Sequence, residues 1–181
     1  MAGQIISRLT GEANQWMLDC LSLQGDDRVL DVGCGPGRGV ALAADRATAG
    51  FVAGVDSSAT MVRQASRRNR LACRDGRVHV VQADATRLPF RDAHFDKAWS
   101  LNSMQFWAAP ERGLRELRRV VGRGGRTVVG LMARSGDDGE GVPPPWLAGT
   151  AGMMTDAGFG DITFERRTFG DVIHWALLSR A

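Results

Sequence analysis

A doubly wound α/β fold, a mostly parallel sheet with helices on both faces, is what this sequence predicts, on three observations. Short apolar runs alternate with stretches whose apolar residues recur at helical spacing, the rhythm of strand–helix–strand crossovers. One run, Val29-Leu30-Asp31-Val32, delivers the chain into Gly33-Cys34-Gly35-Pro36-Gly37, with a glycine at every second position. Near the end, only Thr168-Phe169-Gly170-Asp171 separates two strand-like stretches. That is too short for a parallel crossover, so an antiparallel C-terminal hairpin closes the sheet.

The elements follow in order. Ile5, Leu9, Trp16, Met17, Cys20 and Leu21 sit at helical spacing and open the chain with a helix. Strands are expected at Arg28–Val32, Phe51–Asp56, Val78–Gln82, 95–100 and 125–131, with helices at 39–46, 58–69 and 111–121. A Gly/Pro/Asp-rich loop over 133–145 precedes a helix at 146–156, and strands at 161–167 and 172–179 make the hairpin. The total is seven strands, the last one reversed.

At 181 residues with 44% hydrophobic and 24% charged side chains, the chain has the composition of a single globular domain. It can bury roughly 70% of its unfolded surface without disulfides or metals. The N-terminus lacks the apolar core of a secretion signal and no apolar stretch approaches the ~20 residues of a bilayer span, so a cytoplasmic location is expected. Cys20, Cys34 and Cys73 are odd in number and far apart, which predicts reduced thiols and no metal site. Net charge is +3, and Arg63, Arg67, Arg68, Arg70, Arg74 and Arg77 cluster, but no stacking aromatics interleave with them. A solvated helix face is the expectation there, not a nucleic-acid patch.

The glycine spacing narrows the ligand. A dinucleotide fingerprint needs G-x-G-x-x-G, and no register supplies its third glycine: the places fall on Arg38, Val40 and Leu42. No Gly-Lys-Ser/Thr follows, so a phosphate-cradling P-loop is excluded as well. A strand, an acidic residue and then G-x-G-x-G resembles the first motif of the Rossmann-like (class I) S-adenosylmethionine-dependent methyltransferases. The resemblance extends from about Asp26 to Ser179, since a seven-stranded sheet with its last strand reversed is that family's architecture. It is similar to the ubiquinone/menaquinone-type and small-molecule enzymes.

What the resemblance implies is a site beyond the carboxyl ends of the strands. Gly33, Gly35 and Gly37 would offer bare peptide to S-adenosyl-L-methionine. Asp31 would hold the amino group of the methionine moiety, with the backbone carbonyl of Leu101. Asp56, followed by Ser57, would accept from both ribose hydroxyls, and Met61 would lie against the adenine face. Asp84 would accept from the adenine amine while the Ala85 N–H donates to the ring. An aspartate in the place of Asp56 is equally a turn or cap residue when read alone; coincidence with the glycine loop favours the ribose role.

Methyl transfer from a sulfonium is an in-line displacement with a neutral leaving group, so alignment and water exclusion suffice. Asn102 and Gln105, after the fourth strand, are the candidates to orient an acceptor. His79 and His94 begin strands, on the wrong edge of the sheet, and His174 lies within the last strand, so no general base presents itself. Phe106 and Trp107 are read as core packing ahead of pocket walls. The Asn/Asp-Pro-Pro-aromatic motif of nucleic-acid amino methylation is absent, and Pro143-Pro144-Pro145 comes too late to supply it.

The expected organisation is therefore an N-terminal helical segment, 1–25, serving as a substrate lid, and a methyltransferase domain over 26–181. The 133–145 loop is a second lid candidate; deleting 134–140 is expected to spare cofactor binding and lower turnover. A small-molecule methyl acceptor is the expected partner, and a homodimer is compatible with this reading. Two rivals stand beside it: a non-catalytic S-adenosylmethionine-binding module or partner subunit, and an NAD-dependent oxidoreductase, which the glycine spacing disfavours.

Overall fold

The computed structural model describes residues 2–133 and 143–181, with side chains from Gly11 onward. Most of the 133–145 loop, residues 134–142, lies outside the described residues. Helix α1 (Ala2–Leu21) leads into β1 (Arg28–Val32), α2 (Arg38–Arg46), β2 (Phe51–Asp56) and α3 (Ala59–Arg68). Then come α4 (Arg70–Arg74), β3 (Val78–Gln82), β4 (Phe95–Leu101), a 3-10 turn at Met104–Phe106 and α5 (Pro110–Val120). The chain ends in β5 (Val121–Met132), α6 (Pro145–Asp156), β6 (Gly160–Phe169) and β7 (Val172–Arg180).

The seven strands order as β3-β2-β1-β4-β5-β7-β6. The first five are parallel, and β7 runs antiparallel to both β5 and β6. Strand order reverses between β1 and β4, which opens a crevice beyond their carboxyl ends.

Period-two alternation divides the core into two layers. Leu30 and Val32 pack with Val55, Phe95 and Val129 beneath Leu114 and Leu117 of α5 and Leu147 and Met154 of α6. Val29 points the other way, with Val52, Trp99 and Val128, against α1, α2 and Ala65 of α3. Asp31 shares the Val29 face and is buried there, a carboxylate in an apolar layer.

Three local departures from the expected elements have physical causes. The helix expected over 58–69 stops at Arg68 because the amide of Asn69 turns inward, donating to the carbonyls of Gly37 (3.0 Å) and Ala65 (2.9 Å). The short α4 follows it. Strand β5 starts at Val121, ahead of the expected 125, although glycines at 122, 124 and 125 are poor strand formers. The C-terminus holds that segment: Gly124 N donates to the Ala181 carbonyl (2.8 Å) and Ala181 N to that of Gly125 (2.9 Å). In the hairpin, Phe169 already pairs with Val172, leaving a two-residue turn with Gly170 at φ 57°.

Helix α1 is less of a lid than its sequence suggests. Trp16, Met17, Leu18 and Leu21 are buried against α2 and the sheet, so the 11–21 half belongs to the core. Cys20 in that half donates to Glu165 (3.4 Å), and burial first, then the Glu165 charge, pushes its thiol up to about 12. It is a packing residue, not a nucleophile. Among the described residues no helix is long and apolar enough to cross a membrane.

Candidate cofactor and active site

The crevice at the strand-order reversal is a cleft of about 380 Å³. Gly33 and Gly35 form its floor, Asp56 and Ser57 one wall, and Ala83, Asp84 and Ala85 the next; Asn102, Ser103, Phe106 and Trp107 stand opposite.

The floor is a chain of left-handed glycines, Gly33 at φ 83°, Gly35 at 51° and Gly37 at 78°. Its peptides are tied to β2. The Gly33 and Cys34 N–H groups both donate to the Val55 carbonyl (2.7 and 2.9 Å). Asp56 then accepts from Gly35 N at one oxygen and from Ser58 N at the other, each at 2.9 Å. One carboxylate thus locks the loop to the start of α3, and its remaining lone pairs face the cleft.

Gly37 has a different place from the one expected. It does not line the cleft but caps α2, and a Cβ there would meet Ala65 Cα and Cβ at 2.7 Å and Asn69 Nδ2 at 2.8 Å. Its role is to let α2 and α3 touch. Gly37→Ala is expected to destabilise the fold by about 2–3 kcal/mol, from the left-handed backbone and the overpacked contact together. Chemical denaturation checks this, and a change below about 0.5 kcal/mol would reject the packing role.

Asp31 lies behind the floor, 3% exposed and outside the cleft's lining. A Cβ on Gly39 would stand 2.9 Å from its Oδ2, so glycine there makes room for it. Burial first, then the charge of Asp56, drives the Asp31 carboxyl well above its usual range. Asp56 in the cleft and Asp31 buried behind its floor give this end of the sheet a negative potential that favours a cation.

On the third wall, Thr86 N donates to Asp84 Oδ1 (2.8 Å), and that bond chiefly holds the carboxyl below its ordinary value. Asp84 is exposed and stays ionised at neutral pH. The structure does not bring Met61, Leu101 or Gln105 to the lining: Met61 is half-buried on α3, Leu101 is buried within β4, and Gln105 is exposed on the 3-10 turn. Asn102 does line the cleft, but its side chain turns into the sheet, accepting from Met132 N at 2.7 Å with its amide nitrogen 3.4 Å from His174 Nε2.

Two features of the far wall carry no sequence signal of their own. Ser103 Oγ stands over Gly33, where any Cβ would collide with it, and Trp107 Nε1 donates to that oxygen at 3.0 Å. Trp107 is thus both core and wall, half-buried against Gly113 and lining the cleft, whereas Phe106 is 81% exposed at the rim. His94 lies at the opposite edge of the sheet, against Arg28 and Phe90, and burial chiefly, then Arg28, lowers its proton affinity.

A glycine floor, a carboxylate at the tip of β2, a second after β3 and a buried third beneath define a class of nucleoside-binding α/β domain that carries no phosphate-binding loop. Comparison with known proteins narrows the class. Residues 30–129 match the family model described as "Methyltransferase domain". The chain is 31% identical over 131 residues to the putative methyltransferase YrhH of Bacillus subtilis, covering 72% of this chain and 71% of that protein. It is 37% identical over 110 residues to 27-O-demethylrifamycin SV methyltransferase of Amycolatopsis mediterranei, covering 61% of this chain and 40% of that one. The crystal structure of a SAM-dependent methyltransferase from Aquifex aeolicus has the same fold, with a TM-score of 0.74 at 20% identity over 92% of this chain and 88% of that one. The chain belongs to the methyltransferase-domain family, of the Rossmann-like, S-adenosylmethionine-dependent class. It spans only 32–40% of the length of several of the curated relatives it matches.

Proposed function

We propose that this protein transfers a methyl group from S-adenosylmethionine to a small-molecule acceptor by in-line displacement. The observation that carries the reading is the bare-peptide floor between carboxylates at the tips of neighbouring strands, Asp56 in the lining and Asp31 buried behind it. The buried Asp31 beside the Asp56 charge favours a cation, and S-adenosylmethionine brings an ammonium and a sulfonium while S-adenosylhomocysteine brings only the ammonium. Asp56 and Ser57 then take the ribose, and Asp84 with the Ala85 N–H takes the adenine edge.

When bound, the cofactor supplies the electrophilic methyl. The chain's part is to hold it, keep water out and leave one side of the cleft open to the acceptor. Asp56 and Asp84 are the titratable groups among the described lining residues, and both serve the nucleoside, so the acceptor brings its own nucleophilic lone pair. A small acceptor fits the relatives' printed names, which include a rifamycin and a menaquinone precursor methyltransferase. The unpaired thiols Cys20, Cys34 and Cys73 suit a cytoplasmic site of action. Residues 4–10 of α1 and the 133–145 loop are the proposed covers of the acceptor.

The test is calorimetry with both cofactor forms, followed by a labelled-methyl screen against metabolite pools. Binding of both forms and label in a small molecule are expected. Binding without transfer to any pool favours a non-catalytic module, and retention of NAD with no affinity for either form rejects the reading.

A further inference from the structure

Asn102 stands where β4 leaves the sheet, and its backbone is left-handed, with φ 51°. Asparagine tolerates that conformation when its side chain has hydrogen bonds to make. Its Oδ1 accepts from Met132 N at 2.7 Å, and because a backbone N–H can only donate, this bond fixes the amide orientation. The amide nitrogen then faces His174 Nε2 at 3.4 Å, so Nε2 must accept and the ring proton sits on Nδ1.

His174 is 3% exposed and packs against Phe169, with ring centroids 5.5 Å apart. Its Nδ1 lies toward the Val172 backbone without completing a hydrogen bond. On the other side of Asn102, the left-handed turn sends Ser103 over Gly33, where Trp107 Nε1 holds it. One amide thus connects a buried imidazole to the wall of the cleft.

We propose that neutral His174 is a positioning residue for the cofactor: it fixes the Asn102 amide and, through it, the Ser103–Trp107 wall, so that a proton on His174 loosens the cofactor. The inference rests on the reading of the cleft as the S-adenosylmethionine site. A protonated ring sets an N–H against the amide N–H. Flipping the amide only moves the conflict to Met132 N, so one donor loses its acceptor either way.

The surroundings favour the neutral ring. Arg167 of β6 pairs directly opposite His174, and Glu165 lies two residues back along that strand. Glu12 of α1 and Arg38 of α2 line a cavity with Arg167 and Phe169 on the same side. From β4 and β5 come Asn102 and Met132, both uncharged. Burial lowers the proton affinity of His174 from the ordinary 6.5, so the ring charges only on the acid side of that value.

The experiment measures the Kd of S-adenosylhomocysteine by calorimetry from about pH 8 to about pH 5. It compares the wild-type chain, His174→Gln and Asn102→Ala. Glutamine places a carbonyl oxygen near the Nε2 position and does not titrate, while every other ionisable group is common to the two proteins. Near pH 8 wild type and His174→Gln are expected within about threefold, with wild type weaker by about tenfold at the acid end; Asn102→Ala should be weakened by about tenfold throughout. Parallel curves for wild type and His174→Gln would overturn the proposal. Nitrogen NMR of the free protein gives a second readout, expected to show the Nδ1–H tautomer and a Trp107 indole N–H resonance that shifts as His174 titrates. An Nε2–H ring, or an indole signal indifferent to the titration, would also overturn it. If no variant binds S-adenosylhomocysteine, the cofactor reading has failed, and the NMR result still decides whether His174 governs the wall.

Discussion

Asp56→Ala is expected to weaken S-adenosylhomocysteine binding by a hundredfold or more. The carboxylate would lose two charge-assisted hydrogen bonds to the ribose, each worth about 1.5–3 kcal/mol, and about 1.4 kcal/mol is a factor of ten. The substitution also removes the acceptor for Gly35 N and Ser58 N, so the glycine floor loses its tie to α3 before any ligand arrives. Those losses should lower thermal stability, partly offset because Asp31 is relieved of its neighbouring charge. Asp56→Asn separates the effects: its single side-chain oxygen can serve one of the two N–H groups, and its amide opposes the other. Calorimetry and thermal melts on both variants are the measurements. A melting temperature that falls while affinity holds would mean that Asp56 only braces the loop and that the nucleoside site is misplaced.

How much of this was legible in the sequence depends on how local each cause is. The strand–glycine loop, the aspartate ending β2 and the reversed last strand are written in short, contiguous stretches, and the seven-stranded sheet follows from them. The division of labour among the three glycines was not legible, because Gly37 acquires its constraint from Ala65 and Asn69 on another helix. Gln105 and Asn102 share a loop, yet one points to solvent and the other into the sheet, and only the left-handed turn at Asn102 decides which. His174 is the instructive omission. It lies within the last strand, and an antiparallel β7 places its first residues at the carboxyl edge of the parallel strands, beside Met132 and Asn102. The predicted hairpin already contained that reversal. Over 11–21 of α1 the sequence is ambiguous for another reason: apolar residues at helical spacing specify burial without saying whether the burial is permanent.

Asp31→Asn is expected to move stability and binding in opposite directions. In the folded chain the Asp31 carboxyl titrates well above its ordinary value of 3.8, first because it is buried and second because Asp56 is charged. A group whose affinity for protons rises on folding stabilises the native state while it is protonated. That contribution is complete below the ordinary value and is lost as pH rises through the folded one. Above its ordinary value the free protein therefore holds this group at a cost, and Asn should raise its melting temperature, by a margin that grows with pH from about 4 upward and then levels off. Cofactor binding reverses the sign. An ammonium seated against Asp31 would supply a countercharge, and removing one member of a buried charge pair costs about 2–5 kcal/mol, so S-adenosylhomocysteine affinity should fall by thirtyfold or more. Saturating S-adenosylhomocysteine would then stabilise the wild type far more than the variant, and the order of their melting temperatures would invert. A variant that gains stability and keeps its affinity would show that Asp31 faces no cation in the complex. A variant that loses stability without ligand would show that the carboxylate is already satisfied.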